Sequence, residues 1–250
     1  MTGSPWYAER FDATYLEAYA HRDATEAGRA AHCLLEPLGV RGQRILDLAC
    51  GAGRYLDAVG ALGARMVGLD LSMALLRAAH GAAAQPLYLV RGDVRRLPFR
   101  AATFQGVISM FTSFGYFPTA AEDAEVLHEA ARVLRPGGFL VLDVFNAVAL
   151  PAALTPESRR QSGRWDIHER RWLEGDQVHK DITLRAGTET RTYHEAVRLW
   201  PAPALSQAIV AAGFAIEALR GDYDGGEFVA DRSPRAIVVA RRPAPAPGSA

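Results

Sequence analysis

Cysteine, lysine, long apolar stretches and any surplus of charge are what this 250-residue chain has least of. Cys33 and Cys50 are too few for a disulfide framework and too far apart for CxxC spacing, which excludes cysteine-built zinc and iron–sulfur sites and the radical chemistry of the latter. Lys180 is the single lysine, read as compositional bias. The 28 basic side chains are offset by 28 acidic ones. Arginine pairs at 95–96, 159–160, 170–171 and 241–242 are dispersed rather than gathered into the basic stripe that nucleic-acid binding requires, so they read as solvated surface. No apolar run is long enough to span a membrane, and the opening MTGSPWYAERF lacks the charged-then-apolar layout of a signal peptide. The expectation is a cytoplasmic protein with neither nucleic acid nor membrane as partner.

What is present is 49% hydrophobic residues, enough for one domain with a good core, and one segment that carries most of the information. In RILDLACGAGRY, residues 44–55, an apolar strand ends at Asp47 and a Gly51-Ala-Gly53 turn leads into a helix. Glycine there lets main-chain N–H groups approach a ligand at the helix N-terminus. MVGLDLS, residues 66–72, is a second strand ending in Asp70, seventeen residues after Gly53, where an acid reaches a ribose diol. A third strand, PLYLVRG, precedes Asp93, which can accept from an exocyclic adenine amine. VLRPGGFLVLDVFN, residues 133–146, is a helix end, a Gly-Gly turn and a further strand.

Across residues 40–146 these features resemble the class I S-adenosylmethionine-dependent methyltransferases. The family's D-x-[GA]-x-G-x-G motif reads Asp47-Leu-Ala49-Cys50-Gly51-Ala-Gly53, with alanine at the first glycine position. The resemblance implies S-adenosylmethionine as cofactor, Asp70 at the ribose, Asp93 with Val94 at the adenine, and Leu71 and Gly92 among the cofactor-binding residues. It places Met110 and Phe111, after the fourth strand in FQGVISMFTSFGYF (104–117), facing the transferred methyl. The implied fold is α/β, a seven-stranded Rossmann-like methyltransferase sheet with helices on both faces.

Strands near 44–48, 65–70, 86–91, 104–110 and 138–145 alternate with helices near 53–62, 72–83 and 120–135, the βαβ pattern of a parallel sheet. Two helices, near 6–21 and 24–38, precede them. Residues 151–200 break the alternation: WDIHERRWLEG, QVHKDITLRAG and TRTYHEAVRLW read as strands of a small antiparallel β cap, with PAALTPESRRQSGRW leading in. A helix ending at Gly213 and a reversed hairpin at the sheet edge follow. The expected organisation is an N-terminal helical lid over 1–40, a cofactor-binding core over 41–150 and 201–242, the cap over 151–200, and a disordered tail over 243–250.

On the acceptor side, Met110-Phe111-Thr112-Ser113 is not the Asn/Asp-Pro-Pro-Tyr pattern of amino-group methylation on adenine or glutamine, and no acid ends that strand, so no metal is expected. Phe114 and Tyr116, with Tyr223 from GDYDGGEF (221–228), are candidates to wall a small organic acceptor by aromatic and cation–π contact. His194 and His168, in cap strands, are candidate bases. Tyr15, Tyr19 and Arg22 share one helix face; small-molecule members of the family use such a helix as a lid over the methionine end of the cofactor, with Arg22 here pairing the carboxylate. The reading is methyl transfer to an oxygen or nitrogen of a small-molecule acceptor, by a monomer or homodimer. Two alternatives stand: a nicotinamide-dependent oxidoreductase, whose third fingerprint glycine would fall at Leu56 and which would lack a Tyr-x-x-x-Lys pair, and a non-catalytic module that binds S-adenosylmethionine for regulation.

Overall fold

The computed structural model describes residues 11, 13–19, 24–82 and 87–244. Its larger sheet has the strand order β3-β2-β1-β4-β5-β11-β10. β1 (Arg44–Leu48), β2 (Arg65–Asp70), β3 (Tyr88–Arg91), β4 (Phe104–Ser109) and β5 (Leu134–Phe145) run parallel. β11 (Arg235–Arg241) lies antiparallel to β5, and β10 (Ala215–Arg220) closes the edge against β11, the reversed hairpin the sequence implies. Strand order reverses between β1 and β4, and in open sheets of this kind the ligand crevice lies at the carboxyl ends of the strands there.

Side chains of the central strands are sorted by the period-2 rule onto two apolar layers. Leu46, Leu48, Leu140, Leu142 and Val238 join one cluster, whereas Ile45, Phe139, Val141, Ile237 and Val239 join the other. Helices cover both layers: α3 (Arg54–Ala61), α4 (Met73–Ala82), α5 (Ala120–Val133) and α7 (Ala202–Ala211). Thr119 opens α5 with a capping box: its hydroxyl accepts from the Glu122 N–H while the Glu122 carboxylate accepts from the Thr119 N–H.

At the N-terminus, α1 spans Ala13–Ala18 within the expected 6–21, of which residues 6–10, 12, 20 and 21 lie outside the described residues. The expected helix over 24–38 is three pieces: α2 (Ala24–Ala30), a π-turn (Ala31–Leu35) and a 3₁₀ turn (Glu36–Leu38). Pro37 has no N–H to continue the α ladder, and Gly39, at φ 73°, ends it in the left-handed conformation.

Between β5 and α7, after the short α6 (Leu150–Ala153), stands a separate four-stranded antiparallel sheet: β6 (Glu157–Ser162), β7 (Trp165–Glu174), β8 (Gln177–Ala186) and β9 (Glu189–Arg198). β6 was not expected as a strand. Its sequence, ESRRQS, offers no apolar residue to the alternation, and it is recruited by edge pairing from Glu157↔Arg170 to Ser162↔Trp165. All three hairpins turn on two residues with glycine first, at Gly163, Gly175 and Gly187, each at φ between 54° and 59°, as tight hairpin turns require. Trp165, Ile167, Ile182 and Leu184 pack with Tyr15, Ala18 and Tyr19 of the N-terminal segment and Leu75 of α4, so the cap and the N-terminal helix form one apolar cluster above the sheet.

Candidate active site

A cavity of about 970 Å³ lies between the carboxyl ends of β1, β2 and β4 below and the cap above. Its size suits a nucleotide-sized ligand together with a small second molecule. The floor begins at the glycine turn. Ala49, at φ 55°, stands in the left-handed region that disfavours a Cβ, followed by Gly51 at φ 55° and Gly53 at φ 87°. A Cβ on Gly53 would sit 3.1 Å from the Ala79 Cβ, so glycine at 53 also lets α3 approach α4.

Asp70 is fixed by main-chain donors. The Gly51 N–H donates to its Oδ2 and the Ser72 N–H to its Oδ1, both at 2.8 Å. Each carboxylate oxygen keeps a lone pair for a ligand hydroxyl. Burial pushes the Asp70 pKa up, against these bonds. Asp47 is different. Its side chain is buried, it lines the cavity, and its Oδ2 has no hydrogen-bond partner among the described residues. Burial first, and the neighbouring Asp70 charge second, raise its pKa well above the ordinary carboxyl range. A buried acceptor with nothing donating to it calls for a ligand donor, preferably cationic. Burial works against ionisation of Asp93 too, but Arg95 donates to both carboxylate oxygens, with Nη2–Oδ2 at 2.7 Å, and holds the carboxyl below the usual range.

After β4 two consecutive non-glycine residues, Phe111 and Thr112, both stand at φ 59°, in the left-handed region that side chains disfavour. Such residues cost about 1–3 kcal/mol each and need a surround that dictates them. The surround is a buried ion pair. Phe111 N–H donates to Asp143 Oδ2 at 2.6 Å and Thr112 N–H to the Asp143 carbonyl at 3.1 Å. Arg235 donates to Asp143 Oδ1 (2.7 Å) and to Thr112 Oγ1 (2.6 Å), and Tyr223 OH donates to Asp143 Oδ2 at 2.7 Å. Arg54 lies over the Phe111 ring, 4.5 Å from its centre. This network supports Met110, Phe111, Thr112 and Ser113 as one wall of the cavity.

The roof is the inner face of the cap. Glu169 Oε1 accepts from Lys180 Nζ at 3.0 Å and from Arg160 at 3.3 Å, and its Oε2 accepts from Arg171 and from Ser158 Oγ. Burial opposes its ionisation, but Lys180, Arg171 and Arg160 pull its pKa down to about 2. Burial lowers the Lys180 pKa, partly opposed by Glu195 and Glu169. Lys180 also donates to Tyr19 OH, tying the N-terminal helix to the cap.

Of the residues expected from the sequence, the structure brings Tyr15, Tyr19, Asp47, Ala49, Cys50, Gly51, Asp70, Leu71, Gly92, Asp93, Val94, Met110, Phe111 and Tyr116 to the cavity wall. Gly53 acts behind the wall, through helix packing. Arg22 lies outside the described residues. Four expected site residues are corrected. Phe114 is buried against Trp200, with ring centres 5.7 Å apart, and Tyr223 is buried under the floor on Asp143, so neither forms part of the lining. His168 and His194 point away from the cavity because strand alternation puts even-numbered residues of β7 and β9 on the outer face; there His168 meets Glu157 and His194 bonds Asp181 at 2.8 Å. The sequence reading missed Arg160, Glu169, Arg171, Lys180 and Glu195 on the roof. Their signal was parity: each falls on the same strand face as Ile167, Val178, Ile182 or Val197.

Residues 45–138 match a family model described as a methyltransferase domain. A demethylmenaquinone methyltransferase of Clavibacter sepedonicus is 31% identical over 182 residues, 70% of this chain and 67% of that protein. A putative methyltransferase of Bacillus subtilis is 32% identical over 117 residues, 46% of this chain and 47% of that protein. The chain thus spans about half the length of the first curated relatives it matches. Among solved structures, the sugar N-methyltransferase KedS8 from Streptoalloteichus superposes with a TM-score of 0.70 at 23% identity, over 97% of this chain and 98% of that one.

Proposed function

Because the chain belongs to the class I S-adenosylmethionine-dependent methyltransferases, whose cofactor is S-adenosylmethionine, we propose that it moves the cofactor's methyl group to an oxygen or nitrogen of a small-molecule acceptor held beneath the cap. The observation that carries this reading is the cavity itself: one continuous space whose floor is the glycine turn and whose roof is a separately folded sheet, large enough for cofactor and acceptor together. The acceptors named for two similar proteins, demethylmenaquinone and a sugar, are small molecules, which supports the class of acceptor and leaves the atom methylated to experiment. The family matches leave the oxidoreductase alternative without support.

When bound, S-adenosylmethionine supplies a methyl group activated on a cationic sulfur. The residues on the floor fit this ligand. Asp47 Oδ2 would accept from the α-ammonium, Asp70 would accept from the ribose diol with its remaining lone pairs, and Asp93 with Val94 would border the adenine. Met110 and Phe111, the latter held through its N–H by Asp143, would face the transferred methyl. Tyr15 and Tyr19, with ring centres 4.6 Å apart, close the N-terminal side against water. Such a site works by alignment and desolvation and needs no covalent help from the protein.

Two measurements test the reading. In calorimetry, S-adenosylmethionine and its demethylated product bind and NADH does not; binding of NADH alone would overturn the assignment. Incubation with methyl-labelled cofactor and a cell metabolite extract is expected to transfer label to a small molecule, and mass spectrometry of that product identifies the atom methylated. Label appearing on carbon, or on macromolecules only, would refute the acceptor class.

A further inference from the structure

We propose that the basic inner face of the cap anchors an acidic group of the methyl acceptor, a carboxylate or phosphate that is not itself methylated. The proposal rests on the transferase reading and deepens it.

Strand parity makes this face a core position. On β7, Trp165 and Ile167 point inward and are buried, and the next inward residues are Glu169 and Arg171. On β8, Val178, Ile182 and Leu184 are buried, and Lys180 stands between them. A charged residue where the alternation calls for an apolar one is a local conflict, which a sequence retains for function. The register sharpens the conflict. Arg171 and Lys180 face each other directly across the β7–β8 pair, an arrangement of like charges that destabilises a sheet. Lys180 is also the chain's one lysine among 28 basic residues. A bias toward arginine explains its rarity elsewhere but not its place in the centre of this face.

Charge completes the argument. Three cations, Arg160, Arg171 and Lys180, converge on Glu169, and Glu195 brings the second carboxylate of this face, leaving positive charge in excess where side chains are about four-fifths covered. The opposite side of the cavity carries Asp47 and Asp70, the first suited to the cationic end of the cofactor and the second to its ribose diol. A molecule bridging the two sides is complementary when it presents an anion to the roof, since guanidinium and ammonium donors form their strongest hydrogen bonds with carboxylate and phosphate oxygens. Glu169 holds Arg171 and Lys180 in place for that contact.

The experiment fractionates a metabolite extract of the source cells on an anion exchanger near neutral pH and offers each fraction with methyl-labelled S-adenosylmethionine. Label is expected in the retained, acidic fraction. Label confined to the neutral or cationic fractions overturns the anchor while leaving the transferase reading intact; no label in any fraction overturns the transferase reading and the anchor with it. Arg171→Gln and Lys180→Met then locate the contact. Each leaves Glu169 two cations, so the cap keeps its fold. Each is expected to raise the apparent KM for the acidic fraction about tenfold or more, the loss of a charge-assisted hydrogen bond, with kcat and the cofactor dissociation constant changed by less than about threefold. Weakening of S-adenosylmethionine to the same degree as the acceptor would mean that the face holds the cofactor's carboxylate, and would refute the proposal.

Discussion

On the floor of the cavity Asp70 is held by two main-chain N–H groups; on the roof Glu169 is held by Arg160, Arg171 and Lys180, side chain to side chain. The floor's shape comes from backbone conformation at residues 49–53 and 111–112, and its support is a single buried pair. The roof's shape comes from strand alternation, and its support is shared among several charges. A site fixed by backbone tolerates little change in the residue that supports it, whereas a redundant cluster loses one member at small cost. The two halves of the cavity therefore differ in how they break.

Removing one charge from each half gives the largest contrast. Arg235→Met leaves Asp143 buried without its cation and is expected to lower stability by about 3–5 kcal/mol in urea denaturation. Arg171→Met, with Glu169 still paired to Arg160 and Lys180, is expected to lower it by only about 1 kcal/mol, the loss of one hydrogen bond to Glu169 offset by relief of the like charge of Lys180 across the strand pair. Equal losses would show that the floor and roof are supported alike. Next in size, Asp70→Ala is expected to weaken S-adenosylmethionine by about 1–3 kcal/mol in calorimetry, since it removes a charged acceptor from the ribose.

A smaller effect concerns acid. The Glu169 pKa is about 2 in the folded chain, below its unfolded value, so its contribution to stability is full above the unfolded pKa and disappears as pH falls toward 2. Between those limits the wild type should lose more stability than Glu169→Gln, in paired denaturation curves. Parallel curves would show that the roof carries no net ionic contribution. The smallest change is Ala49→Gly. Relief of the left-handed strain and the added freedom of glycine in the unfolded chain oppose each other, and a gain of less than about 1 kcal/mol is expected in thermal melts. A loss would place Ala49's methyl in useful contact within the floor.

The same division explains what could be read from the sequence. The floor was legible because its chemistry is written in local words: Asp47 to Gly53 specify a turn, and Asp70 and Asp93 follow strands whose apolar runs announce themselves. The parallel run of the first five strands followed from the alternation of strands and helices, whereas their order in the sheet was not read from it. The roof was less legible. β6 has no apolar residue, so nothing in ESRRQS marks it as a strand until β7 is there to pair with it. His168 and His194 attracted attention by residue type, yet they lie on the outer parity of their strands, opposite to the apolar Ile167 and Val197 that mark the inner face. Tyr223, named for the acceptor wall, and Arg235, not named, both support the floor for a reason no local pattern shows: they meet Asp143 across 80 and 92 residues.

The lone oxygen of Asp47 has a thermodynamic consequence. Burial and the adjacent Asp70 charge favour the protonated carboxyl, while a cation placed against Oδ2 favours the ionised one. The two equilibria are linked, so a cationic ligand binding there expels up to about one proton into the solvent. The heat measured on titrating S-adenosylmethionine into the protein then depends on the ionisation enthalpy of the buffer, and affinity climbs with pH across the range in which Asp47 titrates. One unsatisfied atom makes the occupancy of the cavity a function of acidity.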